Sequence, residues 1–258
     1  MGYDRATSEA TVDPHPANVK RYVGFQSVVL DCDSTLVSIE GIDVLAAARA
    51  AEVSALTEAA MAGAVPLEEV YGRRLALIRP SHNALEVLGE AYIRALVPDA
   101  RETLAALLWL GKQLRIVSGG LRQPVLALAR SLGLAPSHVA AVEVRFDADG
   151  AYCDFDRESP LARSGGKAEI IRGWHLPGPV LLVGDGATDL EARPAVDAFA
   201  AYTGVACRPG VADAADWVLA DASLAPVLAL AADASDRARL ATSPWAALLA
   251  RGTRSLAL

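Results

Sequence analysis

With 258 residues, 53% of them hydrophobic, the chain holds enough apolar material for one large domain, or for one domain carrying an insertion. A formal net charge of −7 argues against a nucleic-acid surface. Three scattered cysteines (Cys32, Cys153, Cys207) exclude a disulfide framework or a zinc site and point to a reducing compartment. No apolar run approaches the roughly 18 residues of a membrane span, and residues 1–20 contain acids and two prolines and lack the apolar stretch of a secretory signal. A polar N-terminal tail on a soluble, cytoplasmic protein is expected.

In chain order, residues 25–33 read as a strand, apolar without alternation and so buried on both faces. An Ala-rich helix is expected over 42–62, ended by Gly63 with Pro66 just beyond. Helices over 67–78 and 82–96, broken at Pro80 and Pro98, complete a small helical insertion. Asp99 has the position of an N-cap for a helix over 100–110, closed by Gly111. Strand 114–117 runs into Ser118-Gly119-Gly120, followed by helix 122–132. Residues 139–144 and the stretch to Tyr152 read as a strand and a hairpin with Asp149-Gly150 at the turn. Then come helix 167–174, strand 179–184, helix 188–192, strands 197–201 and 216–219, and a helix over 223–232.

Such alternation predicts an α/β fold, a doubly wound parallel sheet whose ligands bind at the carboxyl ends of the strands. The expected organisation is a polar tail over 1–20, a core over 21–36 and 99–232, a helical insertion over 37–98, and a C-terminal extension over 233–258 that carries no motif.

The polar signals fall at strand ends. Asp31 and Asp33 lie two apart after an apolar run, so an extended chain turns both carboxylates to one side. Two such carboxylates resist ionising together unless a cation joins them or one keeps a proton. A second pair, Asp185 and Asp189, follows Val180-Leu181-Leu182-Val183-Gly184. Four aspartates at two strand ends, with no His among them, describe a site for a hard cation, Mg²⁺ foremost. One carboxylate of the first pair can attack phosphorus while its neighbour moves protons. Ser118-Gly119-Gly120 reads as an anion cradle or a plain Gly-rich turn, and Lys167 can bring a cation to a phosphoryl group. Leu161 and Ala168 exclude a P-loop at Ser164-Gly165-Gly166-Lys167, and Asp189 excludes a dinucleotide fingerprint at Gly184-Asp185-Gly186. By spacing alone, Glu40 and Arg74 read as a salt bridge or two solvated charges. Cys32, between two carboxylates, reads as a small buried filler.

Taken together, Asp31-Cys32-Asp33-Ser34-Thr35, Glu40-Gly41-Ile42-Asp43, Met61-Ala62-Gly63-Ala64-Val65-Pro66, Arg74-Leu75-Ala76-Leu77-Ile78, Ser164-Gly165-Gly166-Lys167 and Gly184-Asp185-Gly186-Ala187-Thr188-Asp189 resemble the phosphoserine phosphatases of the haloacid dehalogenase superfamily, over about residues 22–230. The resemblance implies a Rossmannoid core with a helical cap and Mg²⁺-dependent hydrolysis of O-phosphoserine through an aspartyl-phosphate, in serine biosynthesis. It implies Asp31 as nucleophile and Asp33 as general acid/base. The metal would be held by Asp31, the backbone carbonyl of Asp33 and Asp185, with Asp189 in support. Ser118, Gly119, Gly120 and Lys167 would hold the phosphoryl group, with Thr188 and Arg208 nearby. Glu40 would meet the substrate ammonium and Arg74 its carboxylate, with Met61 lining the pocket. Ala62 stands where the family has glycine, which bears on strict phosphoserine specificity. The alternatives are a phosphatase or phosphotransferase for another small phosphorylated amino acid or carboxylate, and a non-catalytic binding module. The expected partner is thus a small phosphorylated molecule, with no nucleic acid and no membrane, and nothing in the sequence sets an oligomeric state.

Overall fold

Every residue of the first strand, β1 (Ser27–Leu30), is buried, as its unbroken apolar run requires. The structure, a computed structural model, describes residues 24–46, 49–61 and 67–256, side chains at 54, 57–61 and 67–68 excepted. The expected tail over 1–20, and the Ala62 to Pro66 stretch, lie outside the described residues.

Among the described residues five helices lie between β1 and the chain's return to the sheet, the first four being α1 (Gly41–Leu45), α2 (Ala50–Met61), α3 (Leu67–Ile78) and α4 (His82–Arg94). The single helix expected over 42–62 is therefore two pieces, α1 and α2. Ser81 caps α4, its side chain accepting from the Ala84 N–H at 3.2 Å. The apolar stripe of α4 (Leu85, Leu88, Tyr92) is buried, which ties the insertion to the rest of the molecule.

After α5 (Ala100–Trp109) come β2 (Gln113–Leu121), α6 (Arg122–Ser131) and β3 (Val139–Val142). The antiparallel hairpin of β4 (Val144–Phe146) and β5 (Tyr152–Phe155) stands apart from the main sheet. Gly150 takes a left-handed turn conformation there, and the Asp147 carboxylate accepts from the Asp149 and Ala151 N–H groups. The chain continues through α7 (Gly166–Gly173), β6 (Val180–Gly184), α8 (Ala187–Ala192), β7 (Ala198–Tyr202), α9 (Pro209–Ala212) and β8 (Trp217–Leu219). It ends with α10 (Ala225–Ala231), α11 (Ala234–Ala241) and α12 (Ala246–Leu256).

The main sheet is parallel, six strands in the order β3-β2-β1-β6-β7-β8. Alternate strand residues feed two cores. Val28, Leu30, Leu181 and Val183 pack with Leu104, Leu107, Leu128 and Leu228 on one face. Val29, Leu182 and Phe199 pack with Val117 and Ile171 on the other. Each such side chain contributes about 1.5–3 kcal/mol on burial. From β1 the chain builds outward through β2 and β3, then returns to the other flank at β6. The loops after β1 and β6 therefore diverge, leaving a crevice at their carboxyl ends.

Two details differ from the sequence expectation. Asp99 does precede α5, but it adopts a left-handed conformation (φ 62°) and makes no side-chain cap. Its carboxylate is taken by Arg251 (2.9 and 2.8 Å) and by the Ser223 hydroxyl (2.6 Å), because α12 lies close enough to outcompete the helix end. The segment 233–258, motif-free in sequence, forms the helices α11 and α12, with Leu240 and Leu248 buried in the core. A buried ion pair, Lys112 Nζ to Asp236 Oδ2 at 2.6 Å, fixes α11 to the start of β2. No helix among the described residues is long and apolar enough to cross a membrane.

Candidate active site

Leu30 of β1 is in register with Val183 of β6, and the Asp31 N–H donates to the Val183 carbonyl at 2.9 Å. That pairing sets Asp31 and Asp185 side by side at the crevice. Asp189, in the first turn of α8, completes the group. One carboxylate oxygen from each of Asp31, Asp185 and Asp189 lies within 4.8 Å of the others, and all three residues are buried. Gly184 permits this: a Cβ there would fall 2.2–2.6 Å from the Asp189 carboxylate.

Lys167, at the start of α7 and 5% exposed, reaches into the cluster from the neighbouring helix. Its ammonium lies 2.8 Å from Asp31 Oδ1 and 2.7 Å from Asp189 Oδ1. Burial alone would lower its pKa, but the Asp189 and Asp31 charges outweigh that and hold it above the ordinary lysine value. The lysine is a fixed cation. Burial, with Asp189 adding repulsion, raises the Asp31 carboxyl well above the usual range despite Lys167. Burial pushes Asp185 up to about 6, with Arg208 opposing.

Asp33 points elsewhere. Its Oδ1 accepts from the Tyr92 hydroxyl at 2.6 Å and from the Gly41 N–H at 3.0 Å. Burial still raises its pKa to about 6, against the Tyr92 hydrogen bond. A carboxyl titrating near there can both give and take a proton at neutral pH. Its other oxygen faces Gly120, where a Cβ would come within 2.8 Å of Asp33 Oδ2 and 3.0 Å of Ser118 Oγ. Ser118 is buried, and its hydroxyl accepts from the Gly120 N–H at 2.9 Å. Residues 118–120 are not a turn between strand and helix. They remain in β2, whose pairing with β3 shifts register between Val117 and Leu121, and α6 begins at Arg122.

Asp31, Asp33, Glu40, Arg74, Ser118, Gly119, Gly120, Lys167, Asp185, Thr188 and Arg208 together line one cavity of about 300 Å³. Met61 ends α2, and its side chain lies outside those described. Glu40 Oε1 accepts from Ser34 Oγ at 2.6 Å, and Arg208 Nη2 lies 3.5 Å from it and 2.8 Å from Asp185 Oδ2. Among the described ion pairs Glu40 is joined to Arg208 rather than to Arg74. Cys32 is fully buried, and burial with the Asp33 and Asp31 charges keeps its thiol protonated.

The donor set fits a hard divalent cation. It consists of carboxylate oxygens alone, and Asp185 Oδ2 is buried without a hydrogen bond although Arg208 is near. Thr35 Oγ1 donates to the other Asp185 oxygen at 3.2 Å, orienting it.

Residues 28–193 match the family model of haloacid dehalogenase-like hydrolases. The chain is 37% identical over 208 residues to the phosphoserine phosphatase of Mus musculus, covering 78% of this chain and 92% of that one. It belongs to the haloacid dehalogenase-like hydrolases. The phosphoserine phosphatase of Bos taurus is 38% identical over 201 residues, covering 76% of this chain and 89% of that one. A solved structure described as a phospho-aspartyl intermediate analogue of phosphoserine phosphatase superposes with a TM-score of 0.65 at 26% identity, over 79% of this chain and 97% of that one.

Sequence reasoning about this haloacid dehalogenase-like hydrolase did not find Tyr92, which holds Asp33, nor Tyr71, which shares the cavity wall. Tyr92 lies on the apolar stripe of α4 and looks like a core residue. The one available signal is that a buried tyrosine needs a partner for its hydroxyl.

Proposed function

We propose that the chain is a Mg²⁺-dependent phosphomonoesterase that hydrolyses O-phosphoserine to serine and phosphate, a cytoplasmic step of serine biosynthesis. Asp31, Asp185 and the Asp33 backbone carbonyl hold the cation, Asp189 supports them, and the ion supplies charge neutralisation at the phosphoryl oxygens. The Ser118 hydroxyl, the Gly119 and Gly120 backbone and Lys167 bind the phosphoryl group, with Thr188 at its edge. Asp31 attacks phosphorus in line while Asp33 gives its proton to the leaving serine oxygen. Asp33, now ionised, takes a proton from water, and that water cleaves the aspartyl-phosphate on Asp31. Glu40 receives the substrate ammonium, and Arg74 binds its carboxylate as a two-pronged donor. Residues 37–98 act as a cap, whose closure excludes bulk water.

The observation that carries this reading is the pairing of an acid held by a buried lysine, Asp31, with a second carboxyl of pKa about 6, Asp33, at one strand end. The names of the relatives support the substrate. The test is phosphate release with Mg²⁺, or with a chelator, from phosphoserine, phosphoethanolamine, 3-phosphoglycerate and an aryl phosphate. Phosphoserine is expected to lead in kcat/KM, with activity lost in the chelator. Equal turnover of all four would refute the Glu40 and Arg74 assignments, and inertness toward all would refute the catalytic reading.

A further inference from the structure

α3 carries Tyr71 three residues before Arg74, so the two side chains share a helix face. Both line the cavity that holds Asp31, Asp33, Ser118 and Lys167. The Tyr71 ring leans on Phe155 of β5, with ring centroids 5.3 Å apart and planes at 58°. A side chain of the helical insertion is thereby held in place by the core hairpin.

Its hydroxyl is buried and, among the described residues, has no hydrogen-bond partner. A phenylalanine would give the same ring contact without that orphaned group, and burying an unpaired hydroxyl is unfavourable. Burial and the Asp33 charge also keep the phenol protonated, so it stays a donor. Of the cavity's other donors, Ser118, Gly119, Gly120, Lys167 and Thr188 belong to the phosphoryl end of the proposed reading and Arg208 is engaged by Asp185 and Glu40, which leaves Arg74 beside Tyr71. Glu40, an acceptor, suits the ammonium. The acidic group left for this wall is the substrate carboxylate.

We propose that Tyr71 is a specificity residue whose hydroxyl donates a hydrogen bond to the carboxylate of the bound phosphoamino acid, beside the Arg74 guanidinium. The inference rests on the phosphoserine reading above and extends it to a residue outside the motifs that carry the family resemblance. Binding a carboxylate gives the orphaned hydroxyl its partner, and a substrate lacking that group leaves the hydroxyl buried and unpaired. Sites built this way discriminate strongly against the analogue that lacks the matching group.

The test is Tyr71→Phe, which keeps the ring on Phe155. A hydrogen bond to a charged group is worth enough to lower kcat/KM on phosphoserine about ten- to hundredfold, carried in KM with kcat little changed. Turnover of phosphoethanolamine, which has no carboxylate, is expected to stay within about twofold of wild type. The thermal midpoint should equal or exceed wild type, since the change removes an unsatisfied group and no contact. Equal losses on both substrates, a loss carried in kcat, or no loss on phosphoserine would overturn the assignment. A wild-type enzyme inert toward phosphoserine refutes the functional reading itself and Tyr71 with it. Active wild type with an unchanged variant refutes Tyr71 alone.

Discussion

Replacing Lys167 with methionine keeps the side-chain length and removes the charge between Asp31 and Asp189. The ammonium lies 2.8 and 2.7 Å from them, with side-chain exposures of 6%, 11% and 0% for Lys167, Asp31 and Asp189. Removing one partner from a buried ion pair costs about 3–5 kcal/mol, because the remaining charge is left uncompensated. Here two carboxylates lose their cation, so the upper part of that range applies, a fall in Tm of roughly 10 °C for a chain of this size. The penalty has a definite pH dependence. The lysine pKa is raised, so its contribution is fully present below its ordinary 10.5 and constant between pH 5 and 8. The Asp31 pKa is raised as well, so its ionisation costs stability as pH rises through that value, and the cost grows once Lys167 is gone. At pH 5 protonation replaces the missing cation in part. Lys167→Met should therefore lose more stability at pH 8 than at pH 5. Urea unfolding of both proteins in a chelator, at the two pH values, measures this. Equal midpoints at pH 8, or a larger loss at pH 5, would refute the reasoning.

Gly120→Ala places a methyl group 2.8 Å from Asp33 Oδ2 and 3.0 Å from Ser118 Oγ. A shift of that carboxylate by up to about 1 Å should lower kcat roughly hundredfold with little change in Tm, and undiminished phosphate release would show that the site absorbs the methyl group. Tyr92→Phe removes a donor that favours the ionised form of Asp33, so the pKa of about 6 should rise. The acidic limb of the pH–rate profile, which the proposed mechanism assigns to the ionised Asp33 that takes the water proton, should then move up by about one pH unit; a stationary limb would limit Tyr92 to packing.

Much of the fold was legible because buried parallel strands are written without alternation. Val180-Leu181-Leu182-Val183-Gly184 reads as a strand from composition alone, and Asp185 follows it. What the sequence obscured depends on distant partners. Asp99 has an N-cap's position, but its carboxylate goes to Arg251, 152 residues away. Ser118-Gly119-Gly120 looks like a Gly-rich turn, but it lies inside β2, where the pairing with β3 shifts register. The helices α11 and α12 hold no motif because their task is packing, and an Ala-rich amphipathic segment does that without chemistry. Tyr71 and Tyr92 escaped because helical spacing assigns a tyrosine to a face, not its hydroxyl to a partner.

The four aspartates, alike in sequence, are divided in function by what each one touches. Asp189 has Lys167 on one oxygen and the Gly186 N–H at 3.1 Å on the other, so both its oxygens are already held by the protein. Asp185 has Thr35 on one oxygen and, on the other, no hydrogen bond but the Arg208 guanidinium 2.8 Å away, so that oxygen faces positive charge. Asp31 is held by the same lysine as Asp189 but opens onto the cavity, as its proposed role of nucleophile requires. Asp33, two residues on, is drawn away by Tyr92 and Gly41 and titrates near neutrality. The assignment of roles therefore lives in the supporting residues. Exchanging the environment of Asp33 for that of Asp189 would remove the proposed proton carrier while leaving every motif carboxylate in place.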